Sequence, residues 1–501
     1  MVSPTGALTT VVVGGGIAGL AAARRLADDG EQQIIVCDAA PRFGGKLHRL
    51  RLDGPRHDHA GHDQPHHDQP HHDQSAIDPA GPGEPFTVDV GAESMLARRP
   101  EAVELISELG LEERRVHPTG AKAQAYVDGR VTALPPSNMG VPTDLDALSG
   151  YLTVAGLQRA RREPELSAPS LSGDVAIGEY VAERFGDEVT DRVLEPMLGG
   201  VYAGQSRKLS FAAVHPALFA AARDGGSLLQ AAQLVSAAAR RTNDHGPSSA
   251  PPVFAGLSGG IAAVVTALQD DLERRGVALR RSTTVREIRR DGSRYRLTVG
   301  PVPAPEMIMA DRVVLATPAA PTARLLSELA PDASSALREI GYASMAVVTL
   351  VLGDAALTGS GLLIPPGELP TIKAFTYSSN KWSWIAERAA QVFGPGTAVV
   401  RASVGRFGEE HLLQVSDDEL VRRTFDEARV LPGWDAARLL RFRVQRWGGG
   451  LPQYPVGHRE RVHTIRDSVA TVGNLAVAGA YLDGVGLPAC IASAYRAVES
   501  L

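Results

Sequence analysis

The stretch Thr9-Thr10-Val11-Val12-Val13-Gly14-Gly15-Gly16-Ile17-Ala18-Gly19-Leu20-Ala21-Ala22-Ala23-Arg24-Arg25-Leu26-Ala27 decides the fold. A β-branched run ends in a glycine-rich turn, an Ala-rich helical pattern follows, and a second strand, Gln33-Ile34-Ile35-Val36-Cys37, ends at Asp38. The glycines of Gly14-x-Gly16-x-x-Gly19 serve, in turn, the tight turn, the approach of backbone to a pyrophosphate at the helix N-terminus, and close packing of helix on strand. Asp38, 19 residues after the last glycine, is placed to accept from ribose hydroxyls. This is the first half of a dinucleotide-binding βαβ unit, and the motif alone does not choose between NAD and FAD.

Outward from this stretch, the same kind of pattern recurs in sequence-distant pieces. Gly256-Leu257-Ser258-Gly259-Gly260-Ile261 precedes a helix to about Arg275, Arg312-Val313-Val314-Leu315-Ala316-Thr317-Pro318 reads as a buried strand, and Leu475 to Ala478 is a strand before a Gly-rich turn and an apolar helix. Between them lie a helix from Pro100 to Leu111, a hairpin turning at Asp128-Gly129, helical patterns from about Thr143 to Arg241, and alternating strands and short helices over residues 340 to 445. A domain assembled from three segments around an inserted one accounts for this. Its pieces are residues 1–99, 251–325 and 446–501. Residues 100–250 form a helical and substrate-binding region, and 326–445 a substrate-binding domain.

The 501 residues allow two to four domains, and 52 glycines with 34 prolines indicate a loop-rich globular protein. Fifty-one basic against 57 acidic residues, a net charge of −6, provide no global basic field for nucleic acid. Two cysteines, Cys37 and Cys490, make neither a disulfide framework nor a tetrahedral zinc site. No run is long and apolar enough to span a membrane, so a cytoplasmic protein is expected, with peripheral membrane attachment left open. A polar stretch, 53–85, repeats His-Asp-Gln-Pro-His and holds seven of the 14 histidines; it reads as a disordered insertion, and no metal site is assigned to it.

Three further motifs bear on chemistry. Arg42-Phe43-Gly44-Gly45-Lys46 follows Asp38 as a glycine turn flanked by cations. Val88-Asp89-Val90-Gly91-Ala92-Glu93-Ser94 is a strand running into small residues that let backbone approach a flat ring. Gly479-Ala480-Tyr481-Leu482-Asp483-Gly484-Val485-Gly486-Leu487-Pro488 opens the last helix, whose positive end suits the electron-rich edge of a reduced flavin.

With Ser378-Ser379-Asn380-Lys381-Trp382 and Leu451-Pro452-Gln453-Tyr454-x-x-Gly457-His458, these motifs make nearly the whole chain resemble the porphyrinogen oxidase family of the flavin amine oxidase superfamily. The resemblance implies an α/β fold: a Rossmann-type FAD-binding domain, an inserted substrate-binding domain of mixed sheet with helices, and a helical region. It implies non-covalent FAD, a tetrapyrrole substrate and O2. The expected activity is oxidation of coproporphyrinogen III to coproporphyrin III in haem biosynthesis, with protoporphyrinogen IX oxidase, an amine oxidase or a carotenoid desaturase as alternatives. Transient contact with other haem-pathway enzymes stays open. Cofactor contacts are expected at Gly14, Gly15, Gly16, Ile17, Ala18, Gly19, Asp38, Ala39, Arg42, Gly45, Lys46, Gly91, Ala92, Glu93, Ser94, Val285, Trp447, Ala480, Val485, Gly486 and Leu487. Two residues depart from the family pattern: Asp38 stands where relatives usually carry Glu, and Lys122-Ala123 stands where one branch carries arginine.

The chemistry asks for positioning more than for acid–base catalysis, because aromatisation of the macrocycle drives the later oxidation steps. No acid–base pair is nominated. The substrate's propionates need cations, for which Arg98, Arg99, Lys122, Lys373 and Lys381 are candidates, and Trp382, Phe375 and Tyr377 are candidate walls or core.

Overall fold

The computed structural model describes residues 8–28, 30, 32–52, 85–167, 169–241 and 252–501. The His-rich repeat and most of the 242–252 linker lie outside these residues.

Alternate residues of the opening strand β1, Leu8–Val13, face opposite sides, and both sides are covered. Val12 packs with Val36, Val314 and Ala476 beneath helix α1, Ile17–Ala27, while Val11 and Val13 join Ile35, Val313 and Val477 on the other face. The small side chains of α1 let it lie close to the strands. The result is a five-stranded parallel sheet ordered Ala278–Arg280, Gln32–Cys37, Leu8–Val13, Arg312–Leu315, Leu475–Val477, drawn from the start, middle and end of the chain. Parallel neighbours cannot be joined by tight turns, so the intervening segments cover its faces or build other layers. One is an antiparallel three-stranded sheet, Val285–Asp291, Arg294–Val299 and Glu306–Ala310, which closes the core under the second face.

A seven-stranded sheet forms the second body, ordered Arg438–Pro452, Tyr342–Gly353, Ala398–Val404, Ile372–Tyr377, Gly361–Leu363, Ala123–Val127, Arg130–Ala133. Its last two strands are the hairpin at Asp128-Gly129, where both residues take positive φ, 50° and 73°. Two expected boundaries shift. The strand Arg438–Pro452 runs through the 445/446 division, and helix Pro331–Arg338 packs with the parallel sheet's core, not with the seven-stranded sheet. The hairpin, placed by sequence within 100–250, belongs to the seven-stranded sheet.

Helices from Val154 to Arg241 enclose a third core around Phe185, Leu194, Phe211 and Tyr454. Within it Glu163 and Arg184 form an ion pair at 2.7 Å, with side chains 0% and 2% exposed. Among the described residues no helix is long and apolar enough to cross a membrane.

Strands Arg49–Arg51 and Thr87–Asp89 pair antiparallel, and Leu52 N–H donates to Phe86 at 2.7 Å, so the two ends of the polar insertion meet at one hairpin. Removing residues 57–74 should therefore leave flavin content and melting temperature as in the parent, since the closing strand pair stays intact. A colourless or destabilised deletion protein would show that the insertion supports the site.

Candidate cofactor and active site

The glycines of the first turn take the three roles their spacing assigns. Gly14 has φ +109°, and a Cβ there would lie 2.7 Å from the Ala316 carbonyl oxygen, so only glycine lets β1 turn beside the neighbouring strand. A Cβ on Gly19 would lie 1.8 Å from the Gly14 carbonyl oxygen, so glycine there sets the helix-to-strand distance. Gly16 differs, with nothing within 4 Å of where a Cβ would stand. It is also the N-cap of α1 and supplies no side-chain cap, so unpaired N–H groups and the positive helix end face open space. Asp38 accepts from the amides of Gly15 and Ala40, at 2.5 and 2.7 Å, which fixes its carboxylate at the end of the second strand.

The next turn locks onto the first. Gly44 N–H donates to Gly15 at 2.7 Å, and the Phe43 ring occupies the space a Gly15 side chain would need. Arg42 donates to the Gly45 carbonyl at 3.2 Å, so its guanidinium braces the turn and does not enter the cavity. Lys46 does line the cavity, and burial lowers its ammonium below the usual lysine range.

The segment after Asp89 is held by several tethers. Gly91 sits so close to Lys46 that a Cβ would be 1.8 Å from the Lys46 carbonyl oxygen. Trp447 donates from Nε1 to Val90 at 2.9 Å, and Arg401 donates to Gly91 at 2.7 Å. Glu93 accepts from Ser378 at 2.7 Å and pairs with Lys381 and Arg401 at 3.2 and 3.5 Å. Burial opposes the charge on Glu93, but these two cations prevail and hold its carboxyl down at about 2. Of this segment only Ala92 reaches the cavity wall. Gly91 and Trp447 act by holding it, Glu93 by anchoring it, and Ser94 lies beside Glu93 away from the wall.

The third element is the C-terminal turn. Gly479 and Gly484 have φ +145° and +151°, and the final helix, Leu487–Glu499, starts at Gly486 without a side-chain cap. Tyr454 donates to the Ala480 carbonyl and stacks on His458 at 4.0 Å and 12°. His458 Nε2 lies 3.2 Å from the Leu482 carbonyl, so that nitrogen carries the hydrogen. Burial lowers the His458 imidazole to about 4. A base whose folded value lies below the usual 6.5 binds its proton later than in the unfolded chain, so stability is lost as pH falls from 6.5 toward 4. His458→Phe should flatten the dependence of melting temperature on pH across that window; a slope equal to the parent's would remove His458 from the account. Cys490 is buried in the final helix, its thiol pushed up to about 11, and stays protonated at neutral pH.

The three elements enclose a cavity of about 550 Å³. Of the expected cofactor residues, Gly14, Gly16, Ile17, Ala18, Asp38, Ala39, Gly45, Lys46, Ala92, Val285, Ala480, Val485 and Leu487 line it. Gly15, Gly19, Arg42, Gly91, Glu93, Ser94, Trp447 and Gly486 do not, and most of them shape or tether those that do. Sequence reading misses Thr283, Thr284, Thr317, Arg324, Tyr342 and Leu451, which reach the wall from other strands, a helix and the turns beside them. A cavity with an open glycine cradle, two uncapped helix N-termini and an acid at the second strand suits a dinucleotide.

The proposed substrate cations are not gathered here. Arg98 and Lys122 are exposed, Arg99 pairs with Glu101 at 2.6 Å, and Lys381 is held by Glu93. Lys373 corrects the sequence reading most sharply. It is 3% exposed, donates to the Gly405 carbonyl at 2.7 Å, and burial beside Arg406 lowers its ammonium to about 7. Trp382, Phe375 and Tyr377 are buried in packed core. Among the described residues no group of His, Cys, Asp and Glu could hold a metal ion.

Comparison with known proteins places this geometry. A family model described as flavin containing amine oxidoreductase matches residues 17–501. A coproporphyrinogen III oxidase of Mycobacterium tuberculosis (strain H37Rv) is 36% identical over 98% of this chain and 96% of its own length. A protoporphyrinogen oxidase of Macaca fascicularis is 28% identical over 98% of each. A crystal structure provisionally named as a protoporphyrinogen oxidase, from Exiguobacterium sp. 255-15, superposes with a TM-score of 0.78 at 29% identity over 99% of each chain. The match from the first helix to the last residue, over a fold whose cavity suits a dinucleotide, shows that this chain belongs to the flavin-containing amine oxidoreductase family.

Proposed function

We propose that this protein is an FAD-dependent coproporphyrinogen III oxidase that removes six electrons from its substrate and passes them to three molecules of O2, giving coproporphyrin III and three of H2O2. The observation that carries this reading is the likeness, 36% over 98% of the chain, to the mycobacterial proteins of that name. When bound, FAD supplies hydride acceptance and reoxidation by oxygen.

The chain's own residues bind and orient. The open end of α1 and the Gly16 cradle would hold the diphosphate, and Asp38 retains lone pairs for ribose hydroxyls. Lys46 and the uncapped start of the final helix would face the negative charge that develops on reduction. The tethers on Val90, Gly91 and Glu93 keep Ala92 at the wall. Arg98 and Lys122, exposed, and Arg99 and Lys381, paired, remain the proposed partners of substrate carboxylates. Charge reversal at Arg98 and Lys122 together should raise the porphyrinogen KM, and an unchanged KM would remove them. We place the reaction in the cytoplasm.

The deciding experiment is aerobic turnover of the purified protein with coproporphyrinogen III and with protoporphyrinogen IX, following porphyrin fluorescence and peroxide. Preference for the first supports the proposal. Preference for the second favours the reading suggested by the macaque and Exiguobacterium relatives. Oxidation of neither by a flavin-loaded protein overturns both.

A further inference from the structure

The charges around the cavity are unequal. Among the described residues its lining holds one carboxylate, Asp38, whose two oxygens already accept from Gly15 and Ala40, against three cations, Lys46, Arg286 and Arg324. Lys46 stands near Cys490, in the part of the wall built by the final helix. The two arginines belong to the wall that adjoins Asp38. Arg286 is on strand Val285–Asp291, which begins just after Thr283, whose N–H donates to the Asp38 backbone carbonyl at 2.7 Å, and helix Ala319–Leu325, which carries Arg324, packs against that strand. Arg286 is oriented by donation from Nε to the Gly300 carbonyl at 2.6 Å, which leaves its terminal nitrogens available. Among the described residues neither arginine meets a carboxylate, whereas Arg280 on the neighbouring strand Ala278–Arg280 and Arg289 on Arg286's own strand each do.

We propose that Arg324, with Arg286 on the strand its helix packs against, is a cofactor-binding residue that holds the adenosine diphosphate half of FAD. The reading rests on FAD occupying the cavity. The described lining carries a surplus of two positive charges, which matches the two negative charges of a diphosphate, and two of its three cations are these arginines. A guanidinium offers paired N–H donors to phosphate oxygens or a flat face to adenine. The role proposed for Arg324 is retention of the cofactor.

The experiment uses the FAD-loaded protein and its Arg324→Gln, Arg324→Lys and Arg286→Gln variants. FAD release on dilution is followed by recovery of flavin fluorescence at low and high salt. Arg324→Gln should release FAD about tenfold faster than the parent at low salt, with a weaker salt dependence, and Arg324→Lys should recover most of the loss. The visible spectrum of bound flavin should be unchanged in all of them. Release at the parent's rate with the parent's salt dependence overturns the assignment while leaving FAD binding intact. A faster release with undiminished salt dependence also overturns it, because that marks loss of packing and not of charge. A parent protein that binds no FAD would instead refute the cofactor reading itself.

Discussion

Replacing Glu163 by Gln should lower the melting temperature by about 5–10 °C, the consequence of losing about 3–5 kcal/mol when one partner of a buried ion pair is removed. Glu163 accepts from Arg184 Nε and Nη2 at 2.9 and 2.7 Å, from the amides of Leu228 and Leu229 at 2.7 and 3.3 Å, and from Ser227 Oγ at 2.7 Å. Its carboxylate thus neutralises a buried guanidinium and caps the helix that starts at Leu228. Gln keeps the shape, but it leaves Arg184 uncompensated and turns an NH2 toward donors. Replacing both residues with apolar side chains should cost much less than the single change. The comparison is thermal unfolding of the parent, the single and the double variants. A single variant that melts within a degree of the parent would mean that water reaches the pair.

The second large effect separates two glycines of one motif. Gly19→Ala places a methyl group 1.8 Å from the Gly14 oxygen, so α1 must lift from its strand, and the protein should purify with less than about a tenth of the parent's flavin and with a lowered melting temperature. Gly16→Ala meets nothing within 4 Å and keeps an ordinary extended backbone, φ −72°. Its cofactor-free form should melt like the cofactor-free parent, yet it should lose FAD about tenfold faster because the methyl group fills the diphosphate's approach. Flavin-to-protein absorbance ratios and melting curves with and without FAD check both. Full flavin retention in both variants would refute the division of roles within the turn.

Legibility in the sequence follows distance along the chain. The Gly14-to-Asp38 unit is readable because its strand, turn, helix and acid lie within about thirty residues and each has a local signature. Thr283, Thr317, Tyr342 and Arg324 carry no such signature and reach the wall because Arg312–Leu315 pairs beside Leu8–Val13 and Ala278–Arg280 beside Gln32–Cys37. The sequence points to Glu93 but not to its anchoring role, since its partners Lys381 and Arg401 are almost three hundred residues away or more. Lys373 misleads because a strand's alternation does not reveal that both faces are covered. The inserted sheet's boundaries escape for a related reason: Arg438–Pro452 is one long strand whose last residues serve the cavity.

The strand order of the parallel sheet also bears on synthesis at the ribosome. Leu8–Val13 is made first, but its neighbour Arg312–Leu315 comes some three hundred residues later and Leu475–Val477 later still. Contacts of such sequence separation form slowly, and until they do the early strands present an unpaired edge to other chains. The wall supplied by Val485, Leu487 and Cys490 closes last. Until that segment docks the cavity lacks part of its wall, so the cofactor site depends on strands and a helix from sequence-distant parts of the chain meeting first.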